Sequence, residues 1–266
     1  SNLALVACWK EALKTNNVKP SYIDYLDYNR EKTQSFLKDP DQAVDLIVPR
    51  GGERLIQFVK SVSKAPVLVS GRGNNFLYVH EEADWKKVIP IIINAKTDKI
   101  SACNALDKVL IDERTKDLGS KLSLLINELE LNRVDVLTDP VIQEKLSIKN
   151  ESIHKEELWY EEFLSMKILI GLVKDKKEAI DKINTFSGKH SASILTENDE
   201  VAQHFMSDID AAAVYHNVST RFTDGGEFGL GAELAISTDK LHHRGPLGLE
   251  QLVSNKWFIK GNGQVK

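Results

Sequence analysis

Only two cysteines, Cys8 and Cys103, occur in 266 residues. Two thiols supply no disulfide framework, and a chain this long builds its core without one, so both are expected to be reduced. A basic stripe with interleaved aromatics is also missing: 35 Lys and Arg are scattered among 39 Asp and Glu, for a net charge of -4. That balance excludes the electrostatic footprint of nucleic-acid binding. Long apolar runs are absent, since the group Ile91-Ile92-Ile93 falls far short of the roughly 20 residues that cross a bilayer. No signal-peptide pattern opens the chain either, and a cytosolic protein without membrane contact is expected. There is no initiator Met; Ser1-Asn2 leads straight into an amphipathic pattern, as a cut start would. There is no Gly-x-Ser-x-Gly elbow. His190, His216, His242 and His243 lack the i, i+4 spacing on a helix, or a further cysteine, that zinc favours, so no metal is expected.

What is present is 42% hydrophobic residues and a strict alternation of element types. Apolar positions at Leu3, Val6, Ala7, Trp9 and Leu13 recur at helical spacing, with Cys8 on the apolar face, so a packed helix is expected over 3–13. Strands are expected at 22–26, 45–48 and 66–69, separated by helices at 29–37 and 53–62. After a glycine-rich break, "SGRGNN", the pattern resumes with strands at 76–79, 106–111, 134–137, 168–173, 193–195 and 211–215. Helices at 83–95, 117–130, 175–185 and 200–206 fall between them. Parallel strands need such crossovers, so the class is α/β, in two units divided at the break. One or two domains fit the length, and a small molecule or a second copy is the expected partner.

Three stretches carry chemistry. In "NAKTDKISACNALDKVLID" a lone thiol stands between a polar helix end and a strand. A partly exposed thiol at a polar junction favours the thiolate that attacks acyl carbon, and backbone N–H groups after the sulfur suit the resulting oxyanion; an inert half-buried thiol fits the same residues. In "DLIVPRGGERLIQF" a strand turns through Arg50, Gly51 and Gly52 into a helix. Such a turn offers N–H groups and a helix N-terminus to phosphate, though it lacks the full dinucleotide fingerprint. The C-terminal third, "NVSTRFTDGGEFGLGAELAISTDKLHHRGPLGLEQL", holds too many glycines for regular elements, and loops of that length in compact domains are functional or disordered.

These stretches, with "INTFSGKHSASILTEND", resemble in the same order the gamma-glutamyl phosphate reductase (glutamate-5-semialdehyde dehydrogenase) family of the aldehyde dehydrogenase superfamily. The resemblance implies NADPH-dependent reduction of L-glutamate 5-phosphate to the 5-semialdehyde and phosphate, in proline biosynthesis, through a cysteine thioacyl intermediate. It places the nucleophile at Cys103 with Asn104 beside it. It places cofactor contacts at Arg50, Gly51, Gly52 and Glu162, and substrate contacts at His190, Ser191, Arg221 and Thr223. It implies an aldehyde-dehydrogenase-like fold divided into a partial Rossmann-type cofactor domain (1–74), a catalytic domain (75–245) and a C-terminal helix and oligomerisation strand (246–266). A homo-oligomer follows, and association with a glutamate kinase is left open. No general base is implied, because reduction of an acyl phosphate activates no water.

The sequence departs from the family at several positions. Lys99-Ile100 stands for a usual Arg-Pro, Asn75-Phe76 for Cys-His, Ala192 for an acid, and His216 and His243 for smaller or apolar residues. The resemblance also begins well inside the family's first domain, so roughly a third of a usual chain is not represented. This polypeptide alone is therefore expected to be poorly active, with exposed apolar helix faces. The alternative is a truncated or diverged non-enzymatic homologue that acts through association of "NKWFIKGNGQV".

Overall fold

The computed structural model describes residues 1–146, 151–152, 156–240 and 243–265, so His242 lies outside the described residues. Two units are resolved, residues 1–67 and 68–266.

The first unit carries helices α1 (Asn2–Thr15), α2 (Arg30–Lys38) and α3 (Glu53–Val62). Asn29 caps α2, its side chain accepting from the Lys32 N–H at 2.8 Å. Helix α3 starts directly after Gly52 and buries Ile56 and Val59. The strand expected at 22–26 does not form: Pro20–Tyr22 is a 3-10 turn. Those expected at 45–48 and 66–69 reduce to a single parallel bridge, Ile47 to Val67. Pro49 and Pro66 have no N–H to donate, which limits how far a ladder can run there. Helix α1 buries none of its residues. Contrary to the packed face expected, Cys8 is exposed and Leu3, Leu5 and Trp9 are 62%, 59% and 61% exposed.

The second unit is built on β1 (Asn75–Val79), β2 (Leu106–Asp112), β3 (Asp135–Thr138), β4 (Glu151–Ser152), β5 (Lys167–Val173), β6 (Ser191–Leu195) and β7 (Ala213–His216). They form one sheet, ordered β4-β3-β5-β2-β1-β6-β7, with parallel pairing throughout. Helices α4 (Trp85–Thr97), α5 (Leu118–Leu131), α6 (Pro140–Leu146), α7 (Glu157–Tyr160), α8 (Lys176–Phe186) and α9 (Asp199–Asp208) supply the connections. Side chains alternate across the sheet, so β1 sends Leu77 and Val79 into one core with Val88, Ile92, Leu122 and Leu125 of α4 and α5. It sends Phe76 and Tyr78 into the other, with Ile180, Ile183 and Phe205 of α8 and α9. Both faces are therefore covered, which is why the strands read as apolar runs. The glycine-rich third is largely irregular, with a short antiparallel pair, β8 (Ile236–Ser237) and β9 (Gly245–Pro246). Beyond a 3-10 turn at Glu250–Leu252 the chain forms no strand among the described residues, and Trp257, Phe258 and Ile259 are 87%, 82% and 90% exposed. Among the described residues of this chain the expected C-terminal strand has no partner. No helix among the described residues is long and apolar enough to cross a membrane.

Candidate active site

Cys103 sits in the turn that links α4 to β2. Two bonds bracket it, from the Ala102 N–H to the Lys99 carbonyl at 3.1 Å and from the Ala105 N–H to the Ala102 carbonyl at 2.9 Å. Of the two N–H groups after the sulfur, that of Ala105 is thus engaged in holding the turn. The sequence suggests a junction that favours the thiolate, but the structure sets the opposite sign. Burial, then Glu233 and Glu162, push the thiol up, while Arg221 and the residue's own N–H pull it down.

The break "SGRGNN" organises the surroundings of that turn. Asn75 Nδ2 donates to the carbonyls of Cys103 at 2.8 Å and Ala105 at 2.7 Å, and its Oδ1 accepts from the Ser191 N–H at 3.0 Å. One buried side chain therefore ties the cysteine turn to β6. At Gly73 a Cβ would lie 2.3 Å from the Cys103 carbonyl oxygen and 2.6 Å from Glu162 Oε1. Only a residue without one lets the two backbones and the carboxylate approach so closely. Glu162 is pushed up by burial, with an opposing hydrogen bond from the Gly73 N–H.

The remaining residues that the resemblance singled out divide by exposure. Asn104 Nδ2 donates to the carbonyls of Arg221 at 3.0 Å and Thr223 at 2.9 Å, and Thr220 Oγ1 donates to the Asn104 carbonyl at 2.8 Å. The neighbour of the cysteine thereby fixes the start of the glycine-rich loop. His190, Ser191 and Thr223 are fully buried and form a chain: His190 Nδ1 lies 2.8 Å from Ser191 Oγ, which lies 2.6 Å from Thr223 Oγ1, which lies 2.8 Å from the Tyr215 hydroxyl. Burial pushes His190 down to about 4, so its ring is neutral. Arg221 instead lines a groove of about 680 Å³ with Asn94, Asp98, Ser219, Asp224 and Glu227. Its Nε donates to Asp98 at 3.0 Å, and its Nη1 is sealed from solvent without a hydrogen-bond partner among the described residues.

Arg50, Gly51 and Gly52 belong to the first unit, where they lead into the N-terminus of α3. Between α2 and α3 lies a cavity of about 520 Å³ lined by Tyr28, Arg30, Leu37, Arg54, Leu55 and Phe58. Flat apolar walls beside two guanidinium groups suit a base and a phosphate. The sequence reading missed this cavity, because its lining is spread over two helices. Three possible metal ligands, His80, Glu81 and Asp112, converge. Arg114 already occupies them, however, at 2.7 Å from Asp112 and 3.0 Å from Glu81.

Several departures explain one another. Phe76 and Ala192 are direct partners in the β1–β6 register, both fully buried, and Phe76 stacks on Trp159 at 6.2 Å. Where the resemblance carries a His and an acid, this chain carries a large and a small apolar residue side by side. His216 Nε2 lies 2.9 Å from the Thr196 carbonyl and His243 Nε2 lies 3.0 Å from that of Pro246, so each acts as a local tie.

No family model matches the chain. Over 267 residues it is 40% identical to the gamma-glutamyl phosphate reductase of Nautilia profundicola, covering 100% of this chain and 64% of that protein. Identity to that of Thermotoga petrophila is 42% over 266 residues, 100% and 63%. The crystal structure of gamma-glutamyl phosphate reductase from Thermotoga maritima superposes with a TM-score of 0.89 at 40% identity, over 100% of this chain and 63% of that one. An acetylating aldehyde dehydrogenase from Geobacillus thermoglucosidasius shares the fold, with a TM-score of 0.64 at 20% identity, over 89% and 61% of the two chains. The chain thus spans about 63% of the length of the relatives it matches.

Proposed function

We propose that this chain, homologous over its entire length to the gamma-glutamyl phosphate reductases and sharing the fold of an acetylating aldehyde dehydrogenase, carries the reacting cysteine of that reductase chemistry. The reaction is reduction of L-glutamate 5-phosphate to L-glutamate 5-semialdehyde and phosphate. Cys103 as thiolate attacks the acyl carbon, the carbon–oxygen bond to phosphate breaks, and a thioester remains on the sulfur. NADPH, when bound, supplies the hydride that reduces the thioester carbon. Collapse of the hemithioacetal returns the thiolate and frees the aldehyde, and no water is activated at any step.

The observation that carries this reading is the setting of Cys103 in a chain homologous throughout. A half-buried thiol is held in a stapled turn, against a glycine backbone and a carboxylate. Glu162, on the far side of Gly73, is the cofactor-facing carboxylate of the proposal, a role for its oxygens on ribose hydroxyls. Arg50, Gly51 and Gly52 with the N-terminus of α3 suit the cofactor's phosphates, and the cavity of Tyr28, Arg30, Arg54 and Phe58 suits its adenosine end. Arg221, held in the groove by Asp98, is the anion contact for the substrate. His190, Ser191 and Thr223 support that wall from behind through their hydrogen-bonded chain.

The thiolate must form against burial and two carboxylates. Arg221 favours it, and a substrate anion held by Arg221 would weaken that help, so acylation is expected to speed up with pH. The test uses the full-length protein and follows phosphate-dependent NADP⁺ reduction with glutamate 5-semialdehyde. Cys103→Ser is expected to lower the rate by roughly a thousandfold or more, the scale of losing a covalent nucleophile. A variant that retains the wild-type rate ends the reading, and so does an intact protein with no such activity.

A further inference from the structure

Glu162 lies in a segment whose backbone is caught by four side chains. Asn74 Nδ2 donates to the Trp159 carbonyl at 2.7 Å, and Arg72 Nη1 to that of Tyr160 at 2.9 Å. Lys108 Nζ donates to the Glu161 carbonyl at 2.8 Å, and the Phe163 N–H donates to Asp107 Oδ2 at 2.9 Å. The last two grips come from adjacent residues of β2, the strand that directly follows the cysteine turn, and they flank Glu162 on either side. Asp107 is itself pinned, its Oδ1 lying 2.8 Å from Lys96 Nζ with both side chains almost wholly buried. Lys108 Nζ also stands 3.6 Å above the Phe163 ring.

Packing alone does not account for this arrangement. A fully buried lysine in a strand costs desolvation that a methionine of similar length would avoid, and the Glu161 carbonyl could take its hydrogen bond from water. Burial pushes Lys108 down to about 7, with Asp107 pulling the other way. The amine is thus expensive to keep, and its hydrogen bond goes to the one carbonyl that precedes Glu162.

We infer that Lys108 and Asp107 are positioning residues, gripping the backbone before and after Glu162 so that its carboxylate is fixed against Gly73 and the Cys103 turn. The inference rests on the reading of Glu162 as the cofactor-facing carboxylate. Both functions thereby hang on one strand: β2 continues from the nucleophile and holds the group that aligns the cofactor.

The test compares Lys108→Met, Glu162→Gln and the double variant in the full-length protein, reading KM for NADPH, kcat and thermal midpoint. Lys108→Met is expected to raise KM for NADPH by about fivefold to tenfold, the scale of one hydrogen bond's worth of orientation, with a smaller change in kcat and an unchanged or higher midpoint. The double variant is expected to match Glu162→Gln alone, since a grip on an absent carboxylate has nothing left to align. If Lys108→Met leaves KM for NADPH unchanged, or if its effect adds in full to that of Glu162→Gln, the positioning role is overturned while Glu162 keeps its own. If Glu162→Gln leaves KM for NADPH unchanged, the cofactor reading of Glu162 fails instead. Should Lys108→Met not fold, Lys108→Gln carries the same comparison, with the same two outcomes deciding.

Discussion

His190 is a base kept neutral by its surroundings. Its ring Nδ1 lies 2.8 Å from Ser191 Oγ, its Nε2 has no hydrogen-bond partner among the described residues, and burial pushes it down to about 4 from an ordinary 6.5. Because the folded value lies below the unfolded one, the stability it contributes is complete above pH 6.5 and is lost as pH falls towards 4. The loss amounts to about 3 kcal/mol across that window. Urea unfolding between pH 7 and 4 should therefore show a steeper fall for the wild type than for His190→Leu. Parallel curves would mean that the ring is hydrated or protonated in the fold. Glu162, pushed up by burial, acts with the opposite sign, and taking the difference between the two proteins removes it. At this scale the sequence was partly legible. The cysteine turn could be located from its motif, but the pairing of Asp107 and Lys108 with residues 161–163 could not, because nothing local connects positions more than fifty apart. The hint available was two charges inside the apolar run "LDKVLI", which a fully covered strand tolerates only when both are paired.

Glycine substitutions separate the elements that are tightly met from those that are open. A Cβ at Gly73 would meet backbone of Cys103, whereas one at Gly52 would meet nothing within 4 Å. Gly73→Ala should cost about 1–3 kcal/mol as the cysteine turn is pushed aside, and Gly52→Ala should stay within about 0.5 kcal/mol. Chemical denaturation of the two variants checks the contrast, and equal stabilities would mean that the 70–75 segment yields without consequence. The strands of the second unit were legible because helices cover both faces, so each one is a continuous apolar run; 106–111 was expected and Leu106–Asp112 is found. The first unit was less so. An apolar tetrad looks the same whether or not a neighbour pairs with it, and prolines at 49 and 66 shorten what the pattern of 45–48 and 66–69 suggests. The short elements α6, α7 and β4 were missed, since a two-residue strand or a helix of four to seven residues leaves no period to detect.

At the scale of the whole molecule, a large apolar tail has no partner strand among the described residues. Trp257, Phe258 and Ile259 stand on an extended, unpaired stretch, and such a row of free backbone groups is a template for another chain. We expect the full-length protein lacking residues 255–265 to show a smaller native mass by light scattering while it still unfolds cooperatively; equal masses would remove the tail from the assembly. A different consequence follows from the way the site is wired. Its closing hydrogen bonds join residues 28, 53, 88 and 119 positions apart, and none forms within one helix or one hairpin. Loop closures of that size are slow and come after local structure, so the chain must travel most of its folding path before sulfur and carboxylate are neighbours. The reactive geometry is a late event, and an intermediate with its helices formed and its sheet half assembled would carry an ordinary, unaligned thiol.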